Sequence, residues 1–400
     1  MGFWKGAMGF FHLRDIDVRN KRVLVRTGFD VPLLSGKIED DRRIREGLPT
    51  IRHLLSRKCK VILIGHMGRP GGRRIEEFRY DPVAKRLSQL LGRKVAKLDD
   101  CVGPKVARKL KLQKPGQIIL LENLRFHKEE QSTTTGERRR FGKALASYAD
   151  VYVNECFSDS HHDDTSITEV PAHILSCSGF QLDAELEHLG KAAKPKRPFV
   201  AIVGGKKAEK IATLEKLLKR ADAVIVSGLM ANTFLKAMGI DIQTSLYSEE
   251  MLSQARKLCR HKKVILPFDC VYINGKVKQC AISQLPKGAS IMDIGMGTLA
   301  SYKRILRLAR TVFWAGPVGK FEDKRFARGT KEIAFCIARS NAISIVGGGD
   351  TSAAVDQFGV ARRFTHISSG GGASLAVVEG KKLPGIAALE ESYRKFKKAP

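Results

Sequence analysis

Four hundred residues, 43% of them hydrophobic and 28% charged, are enough for two or three globular domains with sizeable cores. No apolar stretch approaches the roughly 18 residues of a membrane helix, and the opening MGFWKGAMGFF is too short and glycine-rich for a secretory signal, so it is set aside from the fold. The net charge of +30 runs along the whole chain without an RNA-binding or zinc-finger pattern, so specific nucleic-acid binding is not expected and a small polyanionic substrate is the better use of that field.

The first apolar run, VLVR (23–26), reads as a strand, and DDRRI (40–44) beyond it carries Arg43. VILIG (61–65) leads into GHMGRP (65–70), which brings His66 and Arg69 together. The helical pattern DPVAKRLSQLLG (81–92) separates this strand from IILLEN (118–123), whose continuation ENLRFH (122–127) supplies Arg125 and His127. VYVNE (151–155) closes the first half. Continuous β-branched runs mark strands buried on both faces, and their alternation with helices means βαβ units and parallel sheets. Arg and His at separate strand ends would converge on a small, highly anionic molecule. The other reading of any one of them is a surface cation in a basic protein.

GFQLDAELEHLGKAAKPKRP (179–198) puts Leu182, Leu186 and Leu189 on one helical face before glycine, lysines and two prolines end the helix. It marks a boundary between two sheets. Beyond it come FVAIVGG (199–205), the helical KIATLEKLLKRA (210–221), AVIVSG (223–228), VILPFD (264–269), IMDIG (291–295), TVFWAGP (311–317) and ISIVGGGD (343–350). Glycines follow these runs at Gly204, Gly205, Gly228, Gly316, Gly319 and Gly347 to Gly349, and HISSGGGAS (366–374) adds another glycine turn. Several glycine turns on one sheet edge specify a nucleotide better than one does, since ligands of open parallel sheets bind beyond the strands' carboxyl ends. In SIVGGGDTSAAV the glycines let backbone N–H groups approach an anion, Asp350 could hold a hard cation, and Thr351 could cap the helix or touch phosphate. A tight strand-to-helix turn is the alternative. Lys207 and Lys210 could reach phosphates or be solvated lysines opening a helix. Neither a GxxxxGK[ST] loop nor an HRD or DFG set is present. The eight scattered cysteines suggest neither zinc nor a disulfide framework, and cytoplasm is the default compartment.

Taken in order, VLVRTGFDVPL, GHMGRP, LLENLRFH, FWAGPVGKFE, RGTKEIA, IVGGGDTSAAV, HISSGGGASL and LPGIAALEE resemble the motifs of phosphoglycerate kinase, over nearly the whole length. The resemblance implies an α/β fold of two Rossmann-like three-layer domains with parallel sheets, joined by an interdomain helix and hinge. It places a 3-phosphoglycerate domain at 1–178, with 383–400 returning to it, the interdomain helix at 179–197 and a nucleotide domain at 198–382. It implies reversible phosphoryl transfer between 1,3-bisphosphoglycerate and ADP, with Mg2+, in a cytoplasmic monomer that closes around its hinge. By position, Arg43 resembles the catalytic arginine, joined in the catalytic set by Lys207, Gly348 and Gly371. His66, Arg69, Arg125 and His161 correspond to the basic patch for the glycerate phosphate and carboxylate. Lys207 and Lys210 match the nucleotide-phosphate lysines, Glu322 the ribose contact, and Gly205, Gly228 and Gly347 to Gly349 the nucleotide wall. Asp350 and Thr351 match the metal and phosphate positions.

The chain also departs from the family pattern, as a divergent member. Gly28-Phe29-Asp30 stands for Asp-Phe-Asn, so the aspartate that would grip the substrate hydroxyl is missing and Asp30 is offered in its place. His162 stands for an arginine and Asp164 for a histidine, GGKKAEK is one residue short, and Ala315 and Leu229 replace an asparagine and a glycine. Two further readings therefore stay open: a kinase for another small anionic acid, and a weakly active paralogue with a binding role.

Overall fold

The computed structural model describes residues 9–205 and 209–397. The chain divides into two compact units, Met1–Glu187 with Lys382–Pro400, and His188–Lys381.

The first unit contains β1 (Phe11–His12), β2 (Arg22–Arg26), the short hairpin β3 (Leu33–Leu34) and β4 (Lys37–Ile38), β5 (Lys60–Ile64), β6 (Val95–Lys97), β7 (Ile118–Leu120), β8 (Val151–Asn154) and β9 (Ser176–Ser178). All but the hairpin join one wholly parallel sheet in the order β1-β9-β8-β2-β5-β7-β6. Alternation along the strands feeds two cores. Val23, Val25, Val61 and Leu63 pack with Ile51, Leu54, Val83 and Leu87 from helices Leu48–Ser56 and Asp81–Leu91. Leu24, Ile62 and Tyr152 pack on the opposite face with Val106, Leu110, Phe141 and Leu145 from helices Pro104–Lys111 and Thr135–Ala146. Three layers result.

The opening segment is not wholly outside the fold, since Phe11 and His12 pair with Cys177 and Ser178. The terminal helix Pro384–Phe396 also packs in this unit: Ser176 N–H donates to Ser392 Oγ at 3.1 Å, and the Phe11 and Tyr393 rings meet edge-on at 4.7 Å.

The second unit contains β10 (Phe199–Val203), β11 (Ala223–Val226), β12 (Val264–Ile265), β13 (Asp269–Asn274), β14 (Lys276–Ala281), β15 (Ser290–Ile294), β16 (Thr311–Ala315), β17 (Ile343–Gly347) and β18 (His366–Ser368). Six form a second wholly parallel sheet, β12-β11-β10-β16-β17-β18. Every residue of the central strands β10 and β16 is buried, as two-sided covering requires. IMDIG does not join this sheet. It lies in a small antiparallel one, β14-β13-β15, whose strand β14 carries exposed Lys276 and Lys278. A five-residue apolar run cannot by itself distinguish the two settings.

Helix Phe180–Ala193 buries Leu182, Leu186 and Leu189 and contains the division between the units. Gly190 does not end it. One glycine costs only about 1 kcal/mol relative to alanine, and alanines follow it.

Candidate active site

Because the first sheet is parallel, the segments leaving β2, β5, β7 and β8 emerge at one edge. They carry Asp30, His66, Arg125 and His161 respectively, and the short helix Arg42–Glu46 adds Arg43. The Nη1 of Arg43 donates to the Asp30 carbonyl at 2.7 Å and lies 3.5 Å from the Asp30 carboxylate. Asp30 Oδ1 accepts from Gly68 N–H at 2.9 Å, and Arg125 Nη1 donates to the Gly68 carbonyl at 3.0 Å. His66 Nε2 faces Asp30 Oδ2 at 3.8 Å. Gly68 and Asp30 thus gather Arg43, His66 and Arg125 on one face, whose positive charge is carried by the two arginines. Arg69 is exposed and has no ion-pair partner among the described residues.

Behind this face lies a layer that motif reasoning missed. Arg26, the polar end of VLVR, is fully buried. Its Nε donates to Ser166 Oγ at 2.9 Å, its Nη1 to the Thr27 carbonyl at 2.7 Å, and its Nη2 to His66 Nδ1 at 2.9 Å with Asp159 Oδ2 3.2 Å away. An arginine ending an otherwise buried strand was the available signal, because a buried guanidinium demands partners. Arg26 has only protons to give, so His66 Nδ1 accepts and the imidazole proton sits on Nε2, toward Asp30. Burial drives the His66 pKa down to about 4, although Asp159 opposes the shift, and the ring is neutral.

Asp164 pairs with Arg125 at 3.0 Å, both side chains buried. Fully buried Glu130 accepts from Ser166 N–H at 3.0 Å and Ser166 Oγ at 2.6 Å, and burial followed by the nearby Asp164 charge pushes its pKa up to about 7. The His161 ring packs on His162 with centroids 3.9 Å apart, and burial, with the His162 charge adding to it, lowers the His161 pKa.

In the second unit, β10, β11, β16, β17 and β18 all lead into glycine turns at the carboxyl edge of the parallel sheet. These glycines serve two purposes. Gly316 has φ +121°, and a Cβ there would stand 2.3 Å from the Gly204 carbonyl oxygen, so it lets two strand ends pack. Gly348, at φ +95°, precedes helix Gly349–Gln357, and among the described residues no atom beyond the adjoining backbone lies within 4 Å of a Cβ built on Gly348, Gly349 or Gly371. That is an open backbone cradle at a helix N-terminus, suited to an anion. Gly347 is buried against Phe313, and Gly228 sits beside the Pro317 carbonyl.

The helix begins at Gly349 rather than at SAAV, which puts Asp350 in its first turn, exposed. Thr351 is buried, and its Oγ1 accepts from Gly316 N–H at 2.7 Å, tying this turn to the next rather than capping its own helix. One exposed carboxylate beside an open cradle fits Mg2+, which binds through few protein ligands and keeps water and phosphate oxygens. Glu322 is exposed on the loop after Gly319. Gly205 is the last residue of the first described stretch. Lys207 lies outside the described residues, as does the side chain of Lys210, whose backbone belongs to helix Glu209–Arg220. One other group of potential metal ligands gathers among the described residues: Asp100, Cys101 and His127. They are already engaged, His127 Nε2 with Asp100 at 2.7 Å and Cys101 Sγ with the Glu122 carbonyl at 2.9 Å.

Residues 13–381 match the family model described as phosphoglycerate kinase. The chain belongs to the phosphoglycerate kinase family. It is 46% identical to the phosphoglycerate kinase of Moorella thermoacetica, covering 95% of this chain and 98% of that one, and 44% identical to that of Pelotomaculum thermopropionicum, covering 94% and 98%. Among solved structures, the Coxiella burnetii phosphoglycerate kinase superposes with a TM-score of 0.82 at 38% identity, over 95% of this chain and 98% of that one. The Pyrococcus horikoshii enzyme gives 0.87 at 32%, over 96% and 100%. Identity at this level over nearly full length corrects the expectation of a divergent member: the departures are local. Among the described residues, a Cβ at Gly28 would meet only Cys156 Sγ and Ser158 Oγ, each at 3.5 Å, so the missing carboxylate reflects no lack of room at the first side-chain atom.

Proposed function

We infer that this chain catalyses reversible phosphoryl transfer between 1,3-bisphosphoglycerate and ADP, giving 3-phosphoglycerate and ATP. The observation that carries the reading is the presence, in one chain of this family, of a cationic strand-end face in the first unit and an open glycine cradle in the second. The first unit holds the acceptor, with Arg43, His66, Arg69, Arg125, His161 and His162 toward its phosphate and carboxylate, and Asp30 toward its hydroxyl. The second holds the nucleotide, with Gly205, Gly228, Lys207, Lys210 and the Gly347 to Gly349 turn along its phosphates and Glu322 at the ribose.

Transfer of a phosphoryl group asks for positioning and charge neutralisation, and no side chain need form a covalent bond. Arg43 stays charged and offers two parallel donors to the equatorial oxygens of the moving group. The backbone amides at Gly348 and Gly371 donate in the same way. Asp350 would hold Mg2+, which supplies neutralisation of phosphate charge when bound. Thr351 steadies the turn. Water must be kept from the acyl phosphate, so we propose that the units close on their substrates about helix Phe180–Ala193. The reading includes a monomer in the cytoplasm; among the described residues no helix is long and apolar enough to cross a membrane.

Calorimetry tests the division of labour. 3-Phosphoglycerate and MgADP should each bind, with Arg125→Ala abolishing the first and sparing the second. Loss of both, in a chain that stays folded, would contradict it. A second reading, another small anionic acid as acceptor, is favoured by the carboxylates of Asp30 and Asp164 already paired with Arg43 and Arg125.

A further inference from the structure

The guanidinium of Arg125 has three edges, and they are treated differently. Nη1 donates to the Gly68 carbonyl at 3.0 Å, and Nη2 is held by Asp164 Oδ2 at 3.0 Å. Nε is buried and has no hydrogen-bond partner among the described residues. His161 Nδ1, on the loop that also carries Asp164, is likewise buried and without a hydrogen-bond partner among the described residues. Buried donors and acceptors are nearly always satisfied, and the unpaired Nε of a buried guanidinium marks a place where a polar ligand belongs. Asp164 itself is buried, with Gln131 Nε2 3.4 Å from its other oxygen, so it cannot swing freely into solvent.

We propose that Asp164 sets the affinity for the acceptor by competing with the acceptor's anionic group for Arg125. The inference rests on the reading of the chain as a kinase for 3-phosphoglycerate. An acceptor carboxylate or phosphate that takes the full fork of Arg125 must displace Asp164. One that takes Nε alone lies beside a like charge in a site with little water to screen it. Either route weakens binding, and the weakening disappears when the charge at position 164 is removed. Asp163, the next residue back, differs: it is exposed and pairs with Arg138 at 2.7 Å, away from Arg125.

Asp164→Asn keeps the shape and the contact with Gln131 while removing the charge. Its Kd and KM for 3-phosphoglycerate should fall at least about tenfold, the gain expected when a charged donor is freed for the ligand. Its KM for ATP should stay where it was, and Asp163→Asn should leave the acceptor KM unchanged. Removing Asp164 also leaves the Arg125 charge buried and unpaired. The melting temperature of the variant should therefore drop in anion-free buffer and be restored by 3-phosphoglycerate or inorganic phosphate more strongly than that of the wild type. If Asp164→Asn does not fold without an anion, that rescue is the test, and Asp164→Ser repeats it. Unchanged or weaker acceptor affinity in folded Asp164→Asn, or a melting temperature that anions move no more than in wild type, overturns the proposal. A wild type that does not turn over 3-phosphoglycerate at all refutes the underlying reading instead, which is a separate outcome.

Discussion

Arg43 is held against Asp30 twice, through its carbonyl at 2.7 Å and its carboxylate at 3.5 Å. The contact presents a guanidinium at the strand-end edge with its fork oriented, which lysine cannot reproduce. Arg43→Lys should lower kcat by about 100-fold or more, the scale for losing one transition-state donor, and change the KM for 3-phosphoglycerate much less. Steady-state kinetics decide it. If KM collapses while kcat holds, Arg43 binds the ground state.

Asp350 stands exposed at the first turn of its helix, so its removal should leave the fold intact. Asp350→Ala should lose several kcal/mol of transition-state stabilisation, roughly a thousandfold in turnover, and raise the Mg2+ concentration for half-maximal activity. Circular dichroism and a Mg2+ titration check the two halves of the statement. Near-normal turnover would take Asp350 out of the mechanism.

Two glycine substitutions should separate packing from ligand space. Gly316→Ala drives a Cβ into the Gly204 carbonyl at a positive φ and should destabilise the chain by about 1–3 kcal/mol or more. Gly349→Ala meets nothing within 4 Å among the described residues and should leave the unfolding midpoint almost unmoved while raising the KM for ATP. Denaturant titration and kinetics on the same two proteins give the comparison. The reverse pattern would empty the cradle of its purpose.

Glu130 carries a pH signature. Its folded pKa, about 7, lies above the ordinary 4.5, so between those values the folded chain keeps a proton that the unfolded chain releases. The stability this contributes is full below about 4.5 and is lost as pH rises through 7. Relative to Glu130→Gln, wild type should lose roughly 1–3 kcal/mol between pH 5 and pH 8 in denaturant titrations. A constant difference across that window would mean that the buried carboxyl titrates normally.

Much of this was legible in the sequence. Two-sided burial writes itself as continuous apolar runs, and VLVR, VILIG, FVAIVGG and TVFWAGP gave the centres of both sheets. The margins of the first sheet were not legible: β1 and β6 at its edges, and β9 beside β1, have two or three residues each and depend on neighbours for their pairing. The cationic face could be read because Arg43, His66 and Arg125 follow strand ends. Its supporting layer could not, because Arg26 and Asp159 lie 133 residues apart and nothing local pairs them. Asp164 was visible as a departure, but only the geometry gives it Arg125 as a partner.

The departures at Gly28 and His162 make the acceptor half adjustable. Space beside Gly28 admits a side chain, so Gly28→Asp with His162→Arg should fold. Restoring one charged hydrogen bond is worth about 1.5–3 kcal/mol, so the pair should tighten 3-phosphoglycerate binding roughly ten- to a hundredfold. Calorimetry on both proteins measures it. Weaker binding would mean that the site is rebuilt around Asp30 and His162 for another acid.

The reaction itself is the most direct measurement. With ATP, Mg2+ and 3-phosphoglycerate, a coupled assay that reduces the 1,3-bisphosphoglycerate formed should show turnover that saturates in both substrates and vanishes in Asp350→Ala. Saturable turnover with 3-phosphoglycerate above that with other small phosphorylated or carboxylic acids is the predicted result. No turnover with 3-phosphoglycerate, or a decisive preference for another acid, would contradict it.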